Sequence, residues 1–563
     1  MKNDKIAPQA GFIALFAGLI FVSHPLQTEA VTYIVQRATS LAAFFYLASI
    51  CLYAKARLSQ NRFYYAGSLI TALMAMFTKE MAITLPFAIW LYEASFFKAR
   101  KDIKWKNLTP FLMTTAVIPL TMLVTKYVDF HHLRRAGEQP QDIDSLHYLL
   151  TQFRVIVTYL RLLVLPINQN VDYYYPPSKS FFDLSTFGSF LLLAGILYVA
   201  KQLWKNYRLL SFSISFFFLS LLPESSILPI RDVIFEHRLY LPLAGYSLFL
   251  AAGLFYLLGK RSITATVVFL ILVAGINSIL TYERNKVWQD MFHLWDDTAH
   301  KSLLKERPWN NLGLCNEMLG NYKEALRDYQ KAIEINPKFP EAYYNRGVVY
   351  GKLGNTALAL QEYNKAILLN PYYSDAYSNR GTIYDAQGNL GQAIRDYTNA
   401  INSNLLPTPD KAIFYKDRAS TYYKLGMINE AKADFNNAIL FDPNDAGIYN
   451  NLGTIDDHQK DYIQAVEEYA KAIELSPNTA DFYLNRGNAY NRQKKYDEAL
   501  RDYNKAILLN PDFATAYDDM TTTYYQLKDY AKARASLRKL EQLPVAYDPK
   551  RISLIKKVLA QGK

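Results

Sequence analysis

The chain has 563 residues, of which 51% are hydrophobic and 15% aromatic, and a net charge of +12. That length allows two or three domains, and the mean hydropathy of −0.06 averages two unlike halves. The basic excess sits in short loops between apolar segments rather than in a tail or one stripe, which argues against nucleic acid as a partner.

Apolar segments of membrane length are read at 7–23, 39–54, 64–78, 81–97, 107–127, 183–203, 208–223, 240–258 and 262–281. The first follows Lys2 and Lys5 and could pass for a signal peptide. No small-residue cleavage site follows it and further spans come after, so it is read as a retained helix. Basic residues crowd alternate loops: Lys55, Arg57 and Arg62; Lys98, Arg100, Lys101, Lys104 and Lys106; Lys201, Lys205 and Arg208; Lys260 and Arg261. The positive-inside rule places these loops in the cytoplasm, the N-terminus inside and everything after the ninth span outside. The composition fits a bacterium, with the spans in its inner membrane and the C-terminal half in the periplasm. Membrane lipids are then one set of partners.

The segment Leu146–Pro166 is long enough to cross, but a crossing there breaks the parity of every later loop. It carries Arg154 and Arg161 on one helical face, and an arginine at the bilayer centre costs at least about 2.5 kcal/mol. It is read as an external helix lying in the interface, or re-entrant. The alternative is a tenth span, which would move the C-terminal half to the cytoplasm.

Four external stretches carry the polar residues of this half: His24–Ser40, Thr78–Met81, Val128–Asp183 (with Asn168-Gln-Asn-Val-Asp-Tyr-Tyr-Tyr-Pro-Pro177) and Pro223–Leu239. Cations and tyrosines at the membrane surface suit an anionic headgroup, because arginine matches phosphate with a planar fork of donors. The competing reading is interface anchors and inter-helix salt bridges.

From Trp309 the sequence repeats with a 34-residue period. Trp309/Gly313/Ala325/Tyr329/Ala332/Pro337 recurs, with variations, in registers led by Tyr343, Tyr377, Tyr415, Tyr449, Tyr483 and, degenerately, Tyr517. This is the tetratricopeptide signature: small residues let paired helices approach, and proline closes the second helix. A four-residue insertion with Pro407 and Pro409 interrupts the period. The fold class is therefore all-α. A polytopic membrane domain (1–282, about nine spans plus the external helix near 146–166) is followed by a connector or half-repeat (283–305), about seven repeats (306–544) and a capping helix (545–563). Ile552, Ile555 and Leu559 mark the apolar face of that cap.

Two residues after each leading aromatic stand Asn311, Asn345, Asn379, Asp417, Asn451, Asn485 and Asp519. Stacked repeats bring these into a ladder on the concave face. A carboxamide both donates and accepts, so the ladder can hold an extended peptide backbone of a protein partner. Against this, asparagine is common at that position in such repeats generally.

The motifs His24-Pro-x-x-Thr-Glu-Ala-Val-x-x-x-x-x-Arg37, Lys79-Glu-Met-Ala-x-x-Leu-Pro86, Glu236-His-Arg-Leu-Tyr-Leu-Pro242 and Arg284-Asn-x-x-Trp288, in this order before the repeats, carry a resemblance. Together they resemble the membrane glycosyltransferases with tetratricopeptide tails, which are similar to protein O-mannosyltransferases of the type C architecture. The resemblance covers nearly the whole chain. It implies transfer of a sugar from a polyprenyl-phosphate donor to a protein acceptor outside the cytoplasm. Such transfer needs a carboxylate base, and cations, a divalent metal or both at the leaving phosphate; no cofactor is certain. It implies that His24, Glu29, Arg37, Lys79, Glu80, Glu236, His237 and Arg238 line the cavity. Arg37 and Arg238 would contact phosphate, and His237 would donate or orient. In the family the catalytic acids lie between two earlier spans, so the base is expected upstream of Met1. The chain is then a fragment or has a mis-called start, or depends on a partner polypeptide, or no longer transfers.

No P-loop, dinucleotide-binding glycine pattern, zinc-ligand spacing or nucleophile elbow occurs. Two functions of different class remain: a glycosyltransferase, and a membrane-anchored scaffold whose repeats bind proteins. The first predicts that Arg37, Lys79, His237 and Arg238 converge on one open cavity. The second predicts that they are scattered or mutually paired.

Overall fold

The computed structural model describes residues 7–32, 36–97, 105–124, 143–225, 229–230, 232–259, 261–403, 409–543 and 549–561. Lys98, Arg100, Lys101, Lys104 and Lys260, and the first part of the third external stretch, lie outside them. Every regular element among the described residues is helical. The chain folds as two compact units, Met1–Asn336 and Pro337–Lys563.

In the first unit three helices are long and apolar enough to cross a membrane: Arg37–Ser59, Leu184–Leu203 and Ile263–Val287. Ala10–Ser23, Arg208–Leu221 and Pro242–Leu257 are shorter apolar helices. The segment predicted at 107–127 is two helices, Trp105–Thr114 and Val117–Val124. The break has a cause in Pro119: it has no N–H, and its ring collides with the carbonyl four residues earlier, that of Thr115. That carbonyl instead accepts from the Ile118 N–H at 3.3 Å. The segment predicted at 81–97 begins as a 3-10 turn, Glu80–Thr84, and becomes α-helical at Leu85–Phe96, with Pro86 in the first turn where proline is tolerated.

The helices pack through small residues. Ala42, Ala43, Ala72 and Ala75 are buried, and Ser49 and Ser68 each donate to the other's carbonyl, at 2.8 and 2.7 Å. A Cβ on Gly245 would lie 2.8 Å from the Ser213 carbonyl oxygen, so only glycine permits this approach of two helices. Glu93, fully buried, is met by Arg57 at 2.7 Å and by the Tyr53 hydroxyl at 2.8 Å. The helix Ser145–Val164 starts on an Asp144 cap. Arg154 donates to the Pro176 carbonyl (3.1 Å) and the Ser178 hydroxyl, and Arg161 donates to the Ile167 carbonyl (3.5 Å). The loop that follows the helix thus satisfies both arginines.

After the last long helix come Met291–Lys301 and a first helix pair, Glu306–Met318 with Tyr322–Ile335, all within the first unit. The second unit begins with the pair Pro340–Lys352/Thr356–Leu369 and continues through five further pairs to Tyr530–Glu541. The helix Pro549–Gln561 follows, with Ile552 and Ile555 packed on the cluster of Ala533, Leu537 and Leu540. The Leu559 side chain lies outside the described residues.

Two contacts recur within pairs. A Cβ on Gly347, Gly381, Gly453 or Gly487 would come within 2.7–3.0 Å of the ring of Tyr363, Tyr397, Tyr469 or Tyr503. Beside the small residue (glycine, or alanine at Ala419), Arg346, Arg380, Arg418 and Arg486 reach Glu362, Asp396, Asp434 and Asp502 at 2.7–2.8 Å. Where leucine replaces that arginine, at Leu312 and Leu452, burial pushes the matching carboxyls Asp328 and Glu468 above their ordinary range.

The turn inside each pair needs one left-handed residue. Gly320, Gly354, Gly388 and Gly426 supply it, with φ of 75–78°, but Lys460, Lys494 and Lys528 hold the same position at 62–68°. A side chain there costs about 1 kcal/mol, so Lys494→Gly should raise stability by that order. Chemical denaturation of wild type and variant checks this, and a lower midpoint for the glycine variant would contradict it.

Candidate functional site

The sequence motifs meet at the polar ends of the apolar helices, in residues that are mostly buried. His24 follows Ala10–Ser23. Its Nε2 lies 3.0 Å from the Leu163 carbonyl, and its Nδ1 accepts from the Leu26 N–H at 3.3 Å, so the neutral ring protonated at Nε2 fits. Burial outweighs the carbonyl and holds His24 down to about 4.

Glu29 takes both the ring and the backbone of one residue: His237 Nδ1 lies 2.7 Å from Oε1, and the His237 N–H donates to Oε2 at 3.0 Å. This grip fixes the imidazole orientation. His237 Nε2 has no hydrogen-bond partner among the described residues.

Lys79 and Arg238 converge on a residue the motifs do not contain. Glu224 lies 3.6 Å from Lys79 Nζ through Oε1 and 3.5 Å from Arg238 Nε through Oε2. Lys79 also donates to Thr39 Oγ1 at 2.7 Å. Arg238 spends its other nitrogens on the carbonyls of Val233 and Asp232, at 3.1 and 3.0 Å. Arg37 and Glu80 are exposed, and Arg37 donates to the Val31 carbonyl at 3.3 Å. Of the four basic residues expected to converge, Lys79 and Arg238 share Glu224, His237 is held by Glu29, and Arg37 stands at the surface.

Glu236, 1% exposed, accepts from Gln169 Nε2 (3.0 Å), the Asn170 N–H (2.6 Å) and the Tyr173 hydroxyl (2.5 Å). Burial is the main cause that pushes its carboxyl up to about 7; the Arg284 charge opposes this and Glu29 adds to it. Its three donors all come from the loop at 169–173. A cavity of about 370 Å³ lies between the end of the last long helix and Met291–Lys301, lined by Lys286, His293, Asp297, His300 and Lys301 among others; none of the eight residues expected to line a donor cavity lines it. Among the described residues no three histidine, cysteine or acidic side chains come together as a metal-ligand set.

Sequence reasoning missed Glu224, Asp172, Asp232, Lys305 and Arg307. Their signal is weak: isolated acids in polar stretches, and bases in what reads as a connector.

In the repeats, all seven ladder positions lie on the first helix of a pair, Asn311 in the first unit and the others in the second. Asn345 is buried and the rest are half-buried. Asn379 donates to the Tyr344 hydroxyl at 3.1 Å, and Asn485 to the Asn450 carboxamide at 2.9 Å, so part of the ladder bonds along the repeats themselves. Burial, with Asp385 nearby, pushes the Asp417 carboxyl up to about 6 against Lys416 and Lys424. Protonated, Asp417 both donates and accepts, as the asparagines do.

Known proteins bear out the overall reading. Tetratricopeptide-repeat models match residues 340–373 and 480–513, 318–354 and 458–494, 362–395, and 415–445. Protein O-mannosyl-transferase TMTC3 of Homo sapiens is 24% identical over 378 residues, 60% of this chain and 40% of that protein. The Drosophila melanogaster Protein O-mannosyl-transferase Tmtc3 is 27% identical over 60% of this chain and 42% of its own length. Protein O-mannosyl-transferase F38B6.6 of Caenorhabditis elegans is 26% identical over 58% and 47%. The chain is a tetratricopeptide-tailed relative of these transferases. It spans less than half the length of each. With three helices long and apolar enough to cross a membrane, it is an integral membrane protein that resembles these transferases.

The raised Asp417 carboxyl has a consequence for pH. The folded state prefers the protonated form, so this group's contribution is complete below its unfolded value and is lost as pH rises through about 6. Asp417→Asn should therefore gain melting temperature over wild type at neutral pH, and much less in acid. An equal difference at both ends of the range would contradict the shift.

Proposed function

We propose that this protein transfers a sugar from a polyprenyl-phosphate donor to a protein acceptor held by its repeats, on the outer side of a bacterial inner membrane. One observation carries the reading: Lys79 and Arg238, from distant motifs, meet at the single carboxylate of Glu224, at 3.6 and 3.5 Å. At those distances the pairs are loose. A phosphate diester matches the same two cations and would take the place of Glu224 between them, with Lys79 Nζ and Arg238 Nε as its donors. His237, oriented by Glu29, would offer Nε2 at the edge of that site. The relatives are named for mannose transfer, which makes polyprenyl-phosphate mannose the first donor to try. A divalent metal would arrive with the donor's phosphate.

Binding of radiolabelled polyprenyl-phosphate mannose to the full chain in detergent tests the reading. Lys79→Gln and Arg238→Lys should each weaken binding about ten-fold, the scale of one charge-assisted contact. Glu224→Gln should strengthen it by removing the competing anion. Equal binding by all four proteins would end the assignment.

A second reading has its own support: Lys79, His237 and Arg238 are all paired within the chain. That suits a membrane-anchored scaffold whose repeats bind proteins. Both readings use the ladder. Asn345→Ala combined with Asn379→Ala should weaken binding of an extended peptide without unfolding the repeats, because truncating one buried and one half-buried amide costs on the order of 1–3 kcal/mol each, spread over a long repeat array. Unchanged peptide affinity would remove the ladder from both.

A further inference from the structure

The external loop at residues 169–175 is held from two directions. Glu236 accepts from Gln169, Asn170 and Tyr173 on one side. On the other, Ser302 donates to the Asp172 carbonyl at 2.6 Å and accepts from Asn170 Nδ2 at 2.8 Å and the Tyr174 N–H at 3.1 Å. Lys301 Nζ donates to the Gln169 carbonyl at 3.0 Å.

Charge closes the same junction. The Asp172 side chain, 3% exposed, receives Arg307 Nε and Nη2 at 2.5 Å, and also Lys305. Asp232 takes Arg307 at 2.8 Å and Lys305 at 3.2 Å. Lys305 and Arg307 flank the start of Glu306–Met318, the first helix of the first repeat, while Asp232 lies four residues before Glu236. All of these residues belong to the first unit. Exposed ion pairs contribute little. Here a buried carboxylate is met by two cations, and removing one partner leaves a desolvated charge. Burial works against the charge of Asp232, yet Arg307 and Lys305 outweigh it and keep its carboxyl below the ordinary range.

We propose that Asp172, Asp232, Lys305 and Arg307 form a latch that holds the first repeat and the Glu236-His237-Arg238 loop as one body, with residues 169–175 as a positioning element for an acceptor entering along the repeats. The latch stands on the contacts alone; its role for an acceptor rests on the transferase reading. Group transfer needs the acceptor hydroxyl held within reach of the donor, and a solenoid that swung freely on its connector would not supply that.

Amide hydrogen exchange on the full chain in detergent tests the latch. Arg307→Gln combined with Lys305→Gln should speed exchange in 169–175 roughly ten-fold or more, while the helices of 340–541 keep wild-type protection and so report intact folding. Arg307→Lys, which keeps a cation between Asp172 and Asp232, should retain slower exchange than Arg307→Gln. Unchanged protection of 169–175 in the double glutamine variant, or equal loss in Arg307→Lys and Arg307→Gln, overturns the latch. With a threonine-rich peptide and polyprenyl-phosphate mannose, Asp172→Asn should raise KM for the peptide about ten-fold and leave kcat, the pattern of lost positioning rather than lost chemistry. A fall in kcat with KM unchanged overturns the positioning role. Absence of transfer by the wild type counts against the transferase reading, and the exchange result still decides the latch.

Discussion

A carboxylate taken out of water must be met by donors or give up its charge. At the polar end of the apolar helices this protein buries Glu29, Asp172 and Glu236, and half-buries Glu224 and Asp232. Each is met by groups from a different segment: Glu29 by the residue at 237, Glu224 by those at 79 and 238, Glu236 by 169–173, and Asp172 and Asp232 by 305 and 307. The apolar helices have little reason of their own to stand in one arrangement, because lipid tails and leucine side chains are alike to one another. The acids supply that reason. They bind loops separated by up to 208 positions in the chain into one network, and the motif residues are ordered by it.

The repeat half answers a different constraint. Two helices can close on each other only where one gives up its side chain, and the glycine of the first helix receives the tyrosine ring of the second. The arginine beside the glycine then neutralises an acid that the closure has buried. The exceptions support the account. At Ala419 the opposing residue is Phe435, and where Leu312 and Leu452 stand in place of arginine the carboxyl keeps its proton more readily.

These two halves bear differently on function. The repeats offer a row of amide-like side chains, part of which is already spent on neighbouring repeats. The membrane half offers two cations that share one loosely held carboxylate, beside a histidine fixed by another. A site arranged in this way has its charges balanced before any donor arrives, so an anionic ligand must compete with Glu224 for them. Competition of that kind favours ligands whose phosphate can face both cations at once over singly placed charges.

Much of the architecture was legible in the residues themselves. The apolar runs, the recurring aromatic–glycine–alanine pattern and the final amphipathic segment follow from local chemistry and period; all are helical, and three of the apolar helices are long enough to cross a membrane. Pro119 splits a predicted span because a ring collision acts over four residues, which a hydropathy window averages away. The motifs His24–Arg37, Lys79–Pro86 and Glu236–Pro242 could be picked out in the sequence, but not what they touch. That Glu224 would stand between Lys79 and Arg238, that Arg37 would face outward, and that Asp172 would find Arg307 are matters of tertiary structure. The physical reason is that the period of a helix is written in its own residues, whereas the partner of a buried charge is set by which distant segment the fold brings within a few ångströms.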